Sequence, residues 1–192
     1  MQLPRLVFMR HGETEWNLAG RAQGHLNSPL TQTGRRQAQR LGEILVRELG
    51  SPDGFDQMAS PIGRVQETVA NIRQHFDLRP IATDLLKEID LGQLSGLTKP
   101  EMVERFPAHM AGKPDHEWYF GAPGGETLAD LRERASRWLD ALARPTIAVA
   151  HGQIGKVIRG ICLGLDDSQI LRLKEPQGVV HVIENGAEDI WI

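Results

Sequence analysis

Cysteine is almost missing from this 192-residue chain, and the single thiol is Cys162. One cysteine cannot close an internal disulfide, and without a CxxC pair there is no thiolate zinc motif. Cys162 sits in the apolar run Val157-Ile158-Arg159-Gly160-Ile161-Cys162-Leu163 and reads as a small core residue on a helix. A basic excess is missing too. With 22 Lys+Arg against 25 Asp+Glu the formal net charge is −3, which argues against a nucleic-acid partner, because dedicated binders carry a clear basic excess. Near the N-terminus the apolar run Leu6-Val7-Phe8-Met9 meets a charge at Arg10. That run is too short for a signal peptide or a membrane span, so the expectation is a cytoplasmic protein with no membrane partner. No repeat, low-complexity tract or linker divides the chain, and residues 1–192 are expected to form a single domain, with a homo-oligomer left open.

What is present is an alternation of strand and helix signals. Leu6–Met9 is a continuous apolar run, the mark of a strand buried on both faces. A helix is predicted over residues 33–49, with Ala38, Leu41, Leu45 and Leu49 at helical spacing and Gly50-Ser51-Pro52 as its stop. Phe55–Ala59 suggests a second strand. Val65, Val69, Ile72 and Phe76 then recur with the helical period. Residues 81–92 fit a strand followed by an ordered loop. Thr98-Lys99-Pro100-Glu101 has the form of a capping box and opens a short helix ending near Phe106-Pro107. Residues 107–125, rich in Gly and Pro around Trp118-Tyr119-Phe120, have the composition of a loop or lid.

Thr127 caps an amphipathic helix whose face is Leu128, Leu131, Ala135, Trp138 and Leu142. Thr146–Ala150 is a second continuous apolar strand, followed by a helix over residues 154–165. The chain closes on a hairpin turning at Asn185-Gly186. This order predicts an α/β fold, a three-layer sandwich with a mainly parallel central sheet flanked by helices.

Two of the buried-type strands end in the same dipeptide, His11-Gly12 and His151-Gly152. Ligands of open α/β sheets bind at the carboxyl ends of strands, so distant strand ends can meet there. Arg10 precedes the first histidine. A guanidinium fork beside imidazoles suits a tetrahedral anion better than a carboxylate, because several donors converge on it.

These residues carry a resemblance. Arg10-His11-Gly12-Glu13-Thr14-Glu15-Trp16-Asn17 is similar to the signature of the histidine phosphatase superfamily, phosphoglycerate-mutase-like branch. The likeness continues through Gly24, Ser28-Pro29-Leu30-Thr31, Ser60-Pro61-Ile62-Gly63-Arg64, Glu88-Ile89-Asp90-Leu91-Gly92, Pro123-Gly124-Gly125-Glu126-Thr127 and Val149-Ala150-His151-Gly152. The resemblance implies that His11 is a nucleophile that becomes phosphohistidine. It implies that Arg10, Arg64 and His151 bind phosphoryl oxygens and that Glu88 protonates the leaving oxygen. Asn17, Gln23 and Gly24 match substrate-contact positions. No cofactor is implied. Glu13, Asp90 and Glu126 are rival acids, and burial beside Leu86 or Ile89 is the expected means of keeping a proton on Glu88. The other histidines, His25, His75, His109, His116 and His181, read as structural or surface residues.

The pattern departs from many members at Ser95, where Glu is common, and at Gln153, where Gly is common. The stretch from Gly96 to Pro123 is also short, with Lys99, Arg105, Lys113, His109 and His116 as its basic candidates for a second anion site. The leading expectation is therefore a metal-independent phosphatase acting on a small phosphorylated metabolite. A phosphoglycerate mutase using the same phosphohistidine, and a non-catalytic phosphate-binding relative, are the alternatives. A zinc site built from His11, His151 and Glu88 is disfavoured, since neighbouring arginines repel a cation.

Overall fold

The computed structural model describes residues 3–114 and 117–192. His116, read from the sequence as structural or surface, lies outside the described residues. The first strand, β1 (Leu6–Arg10), alternates its side chains between two cores, as strand geometry requires. Leu6 and Phe8 face one core, Val7 and Met9 the other. β4 (Thr146–Ala150) behaves in the same way, with Ala148 and Ala150 on one side and Ile147 and Val149 on the other. Both runs are continuous in hydrophobicity because both faces of the sheet are covered.

The helices supply the cover. α2 (Gln32–Leu49) and α3 (Gly63–Ile72) pack on one face through Leu41, Ile44, Leu45, Val65, Val69 and Ile72. α6 (Leu128–Asp140) and α7 (Gly152–Cys162) pack on the other through Leu131, Ala135, Trp138, Ile154, Val157 and Ile158. With β2 (Asp56–Ala59), β3 (Ile81–Ala82), β5 (Val180–Glu184) and β6 (Ala187–Trp191), the sheet has the order β3-β2-β4-β1-β5-β6. β3, β2, β4 and β1 run parallel, and β5 and β6 are the antiparallel hairpin expected from Asn185-Gly186. Both turn residues have positive φ, 53° and 73°, the backbone that a tight two-residue hairpin needs.

Several local expectations are corrected. Helix α3 stops at Ile72, yet Phe76 is still buried in the same core, carried there by the turn that follows. α7 begins at Gly152 rather than Ile154 and ends at Cys162. Leu142 falls beyond the end of α6 but still packs on the core. Residues 81–92 form a two-residue strand and then two single 3₁₀ turns, Asp84–Leu86 and Gly92–Leu94. Besides the expected α4 (Lys99–Arg105), three short helices were not visible in the apolar periodicity: α1 (Glu15–Leu18), α5 (Pro107–Met110) and α8 (Asp167–Arg172). Each is too short for a repeat of apolar positions to show.

A close backbone contact joins the loop after β1 to helix α2. A Cβ placed on Gly12 would stand 2.3 Å from the Gly34 carbonyl oxygen, and one on Gly34 would stand 2.0 Å from that of Glu13. Neither obstacle is a flexible side chain, so backbone must move. Gly34→Ala is expected to destabilise the fold by about 1–3 kcal/mol, the range of overpacked interiors. Urea unfolding would show it, and an unchanged midpoint would contradict the packing described.

Candidate active site

β1 and β4 are parallel neighbours in register Arg10↔Ala150, so their carboxyl ends deliver His11 and His151 side by side. The His11 amide donates to the Ala150 carbonyl at 3.0 Å. The two imidazole centroids are 5.2 Å apart. β2 ends at the same edge, and α3 starts there with Arg64 in its first turn. Arg64 is 1% exposed, and each of its guanidinium nitrogens donates a hydrogen bond within the site. Its Nε lies 3.1 Å from both His11 Nε2 and His151 Nδ1. Its terminal nitrogens donate to the carbonyls of Leu26 and Gly24 at 2.7 and 2.9 Å. Burial pulls its pKa down to about 10, with Glu88 acting in the opposite sense, which leaves it charged near neutral pH.

This geometry assigns the imidazole protons. His11 Nδ1 is 2.7 Å from the Gly12 carbonyl, which can only accept, so Nδ1 carries the proton. Nε2 is then a lone pair, facing the Arg64 Nε–H. In His151 the lone pair is Nδ1, and Nε2 donates to Ser60 Oγ at 2.7 Å. Burial, followed by the neighbouring Arg10 and Arg64 charges, holds the His11 pKa well below the ordinary histidine value, against the Gly12 hydrogen bond. Burial and then Arg64 do the same for His151.

A cavity of about 220 Å³ opens over this cluster. It is lined by seven of the eight residues singled out from the sequence: Arg10, His11, Asn17, Gln23, Gly24, Arg64 and Glu88. The eighth, His151, does not line the cavity. It is fully buried beneath Arg64, with both ring nitrogens occupied. Arg10 donates to the Glu175 carbonyl at 2.6 Å and keeps a buried Nε–H without a partner among the described residues. Asn17 turns its carbonyl oxygen to the Thr14 amide, which leaves its NH₂ for a ligand.

Glu88 is half-buried rather than sunk between Leu86 and Ile89. Its carboxylate instead caps α7, accepting from the amides of Gln153 and Ile154 at 3.1 Å each, and from Ile89 at 3.0 Å. The rival acids are tied up elsewhere. Glu13 accepts from Thr31, Asp90 from Gly92, and Glu126 from Arg134 and the Asp90 amide. None of the three lines the cavity. The position a zinc ion would need between the two histidines is filled by the Arg64 guanidinium.

Sequence reasoning missed Arg21, Lys156 and Glu175 as cavity residues, along with Gln177, which donates to the His11 carbonyl at 3.2 Å. Nothing in their local sequence marks them, because the loop after α1, α7 and the turn before β5 bring them in. Tyr119 reaches the cavity from the aromatic group. Of the remaining histidines, His25 contacts the Glu88 carbonyl, His109 contacts the Trp118 carbonyl, and His181 is buried against Glu188.

The model of the histidine phosphatase superfamily, branch 1, matches residues 6–191. The chain belongs to that family. It is 30% identical to phosphoserine phosphatase 1 of Hydrogenobacter thermophilus over 171 residues, 86% of this chain and 79% of that one. It is 29% identical to the 2,3-bisphosphoglycerate-dependent phosphoglycerate mutase of Bartonella bacilliformis over 194 residues, 95% and 93% of the two chains. Among solved structures, that of the open reading frame Rv3214 from Mycobacterium tuberculosis superposes with a TM-score of 0.79 at 29% identity, covering 98% of this chain and 96% of that one. The described residues contain no helix long and apolar enough to cross a membrane.

The histidine shifts set a stability prediction. Both native pKa values lie below the unfolded value near 6.5, so under that pH the unfolded chain binds protons that the native state does not. Stability is expected to be level above about pH 6.5 and to fall as pH drops through it. The slope for each histidine approaches about 1.4 kcal/mol per pH unit. Urea midpoints at pH 7.5, 6.5 and 5.5 measure this, with His11→Gln expected to show a shallower slope. Equal slopes in the two proteins would contradict the neutral, buried His11.

Proposed function

We propose that this member of the histidine phosphatase superfamily is a phosphomonoesterase that works through a phosphohistidine at His11. The observation that carries the reading is the His11 tautomer: Nδ1 is fixed on the Gly12 carbonyl, which leaves the lone pair on Nε2, at the Arg64 Nε–H in a side chain that lines the cavity. Nε2 forms a bond to phosphorus as the ester P–O bond breaks, and Glu88 supplies the proton to the departing oxygen. Water then attacks phosphorus, gives its proton to Glu88 and breaks the P–N bond, which releases phosphate. Phosphoryl transfer needs positioning and charge stabilisation above all, and Arg10 and Arg64 provide both. His151 acts through Arg64, whose Nε it holds. No step needs a metal or cofactor.

Hydrolysis is favoured over isomerisation by the region between Gly96 and Pro123. A mutase must hold its dephosphorylated intermediate against water until phosphate returns. Among the described residues of that region no basic side chain lines the cavity, and only Tyr119 reaches it. Lys113 binds His109 and the Phe120 carbonyl, and His109 binds the Trp118 carbonyl. The relatives include both phosphatases and mutases by name, so the distinction rests on this region.

His11→Ala is expected to abolish turnover of p-nitrophenyl phosphate, while EDTA leaves the wild-type rate unchanged. Activity lost with EDTA and restored by zinc would reject the mechanism. With 3-phosphoglycerate, free phosphate is expected to appear with little 2-phosphoglycerate. The isomer appearing much faster than phosphate would establish the mutase instead.

A further inference from the structure

One cation in the cavity has no place in the chemistry above. Lys156 lies on α7, four residues after Gly152, which puts it on the same helix face one turn further on. Helical side chains lean toward the N-terminus, so its four-carbon stem carries the ammonium back toward the end of α7 that Glu88 caps. It lines the cavity and is half-buried. Among the described residues it makes no hydrogen bond or ion pair. The nearby carboxylates do not serve it. Glu175 binds Arg159 at 2.5 Å through one oxygen and keeps its other buried oxygen without a hydrogen-bond partner, yet it stands outside ion-pair distance of the lysine, and Glu88 is bound to the α7 amides. An ammonium taken partly out of water without a partner is costly, and such a group asks for a ligand.

The other positive groups are already committed. Arg64 is tied to the histidines and to two carbonyls, and Arg21 is tied to Glu101 and the Gly96 carbonyl. Arg10 donates to the Glu175 carbonyl, and its unpartnered Nε–H stands beside Gly152. Glu175, Arg10 and Glu88 are the charges that act most on Lys156, and Glu88 is the group assigned above to the leaving alcohol. The helix cannot shift to withdraw the lysine. A Cβ on Gly155 would meet the Phe8 ring at 2.6 Å, so α7 is pressed directly onto β1 beside it.

We propose that Lys156 binds a second anionic group, a carboxylate on the alcohol half of the substrate, so that the enzyme selects phosphate monoesters of small hydroxy acids over esters of neutral alcohols. The inference rests on the phosphatase reading and adds the substrate class to it. Burial also lowers the lysine pKa, which a bound carboxylate would reverse.

The test uses a matched pair: 3-phosphoglycerate and glycerol 3-phosphate differ at the carbon that carries either a carboxylate or a hydroxymethyl group. Wild-type kcat/KM is expected to favour the acid. In Lys156→Gln the ratio of the two kcat/KM values should fall about tenfold or more, chiefly through KM for the acid. Lys156→Arg should keep most of the preference. Because both substrates are measured on one preparation, partial unfolding cancels from the ratio. A wild-type enzyme without preference for the acid would overturn the subsite. A ratio unchanged in Lys156→Gln would also overturn it, including the case where both values fall together because the lysine touches the phosphoryl group. If the wild type released no phosphate from p-nitrophenyl phosphate either, the phosphatase reading itself would fail and the subsite with it.

Discussion

Arg64 is a guanidinium almost wholly removed from water, and nearly every other feature of the site depends on keeping it satisfied. A buried charge without partners would cost several kcal/mol, so its hydrogen bonds come from four directions. Two carbonyls from the loop after α1 take its terminal nitrogens, and two imidazoles share its Nε–H. This shared donor requires a lone pair on each facing ring nitrogen. The neutrality of both histidines therefore follows from the arginine as well as from their burial. A neutral imidazole is the form that can attack phosphorus, so the electrostatic demand of one buried cation suits His11 to the role proposed for it.

Keeping that arrangement in register falls to the backbone. The adjacent ends of β1 and β4 fix the spacing of His11 and His151 through the ladder itself, where no loop flexibility enters. The turn after His11 is locked by the contact between Gly12 and Gly34, and by Thr68, which accepts from the Gly12 amide and donates to the Arg64 carbonyl. Thr68 thus links the helix that carries Arg64 to the turn that follows His11. On the other side α7 offers its first amides to Glu88. A helix terminus favours an anion there, which accounts for the Glu88 carboxylate lying at this helix end and not in an apolar pocket.

The parts legible in the sequence were those set by repeated local rules. Continuous apolar runs located β1 and β4, helical spacing located α2, α3 and α6, and Asn185-Gly186 located the hairpin. The site residues next to strand ends were legible for the same reason, since strand order converts His-Gly dipeptides into neighbours. Lys156, Glu175 and Gln177 were not, because a side chain's aim from a helix face or an irregular turn depends on how that segment packs. His151 shows a subtler limit. Its position was readable, but its concealment beneath Arg64 depends on the rotamer of a residue far away in sequence. Glu88 shows another, for its local neighbours Leu86 and Ile89 are buried while its own carboxylate turns to α7.

The charge balance of the cavity connects these pieces. Arg21 is paired with Glu101, while the single Arg159 is shared between two carboxylates, Glu175 and Glu188. At the cavity Arg10, Arg64 and Lys156 therefore stand with Glu88 and Glu175, and both histidines are neutral. None of these three cations forms an ion pair among the described residues, so their charge is open to an anion that enters the cavity, where the low surrounding dielectric strengthens the attraction.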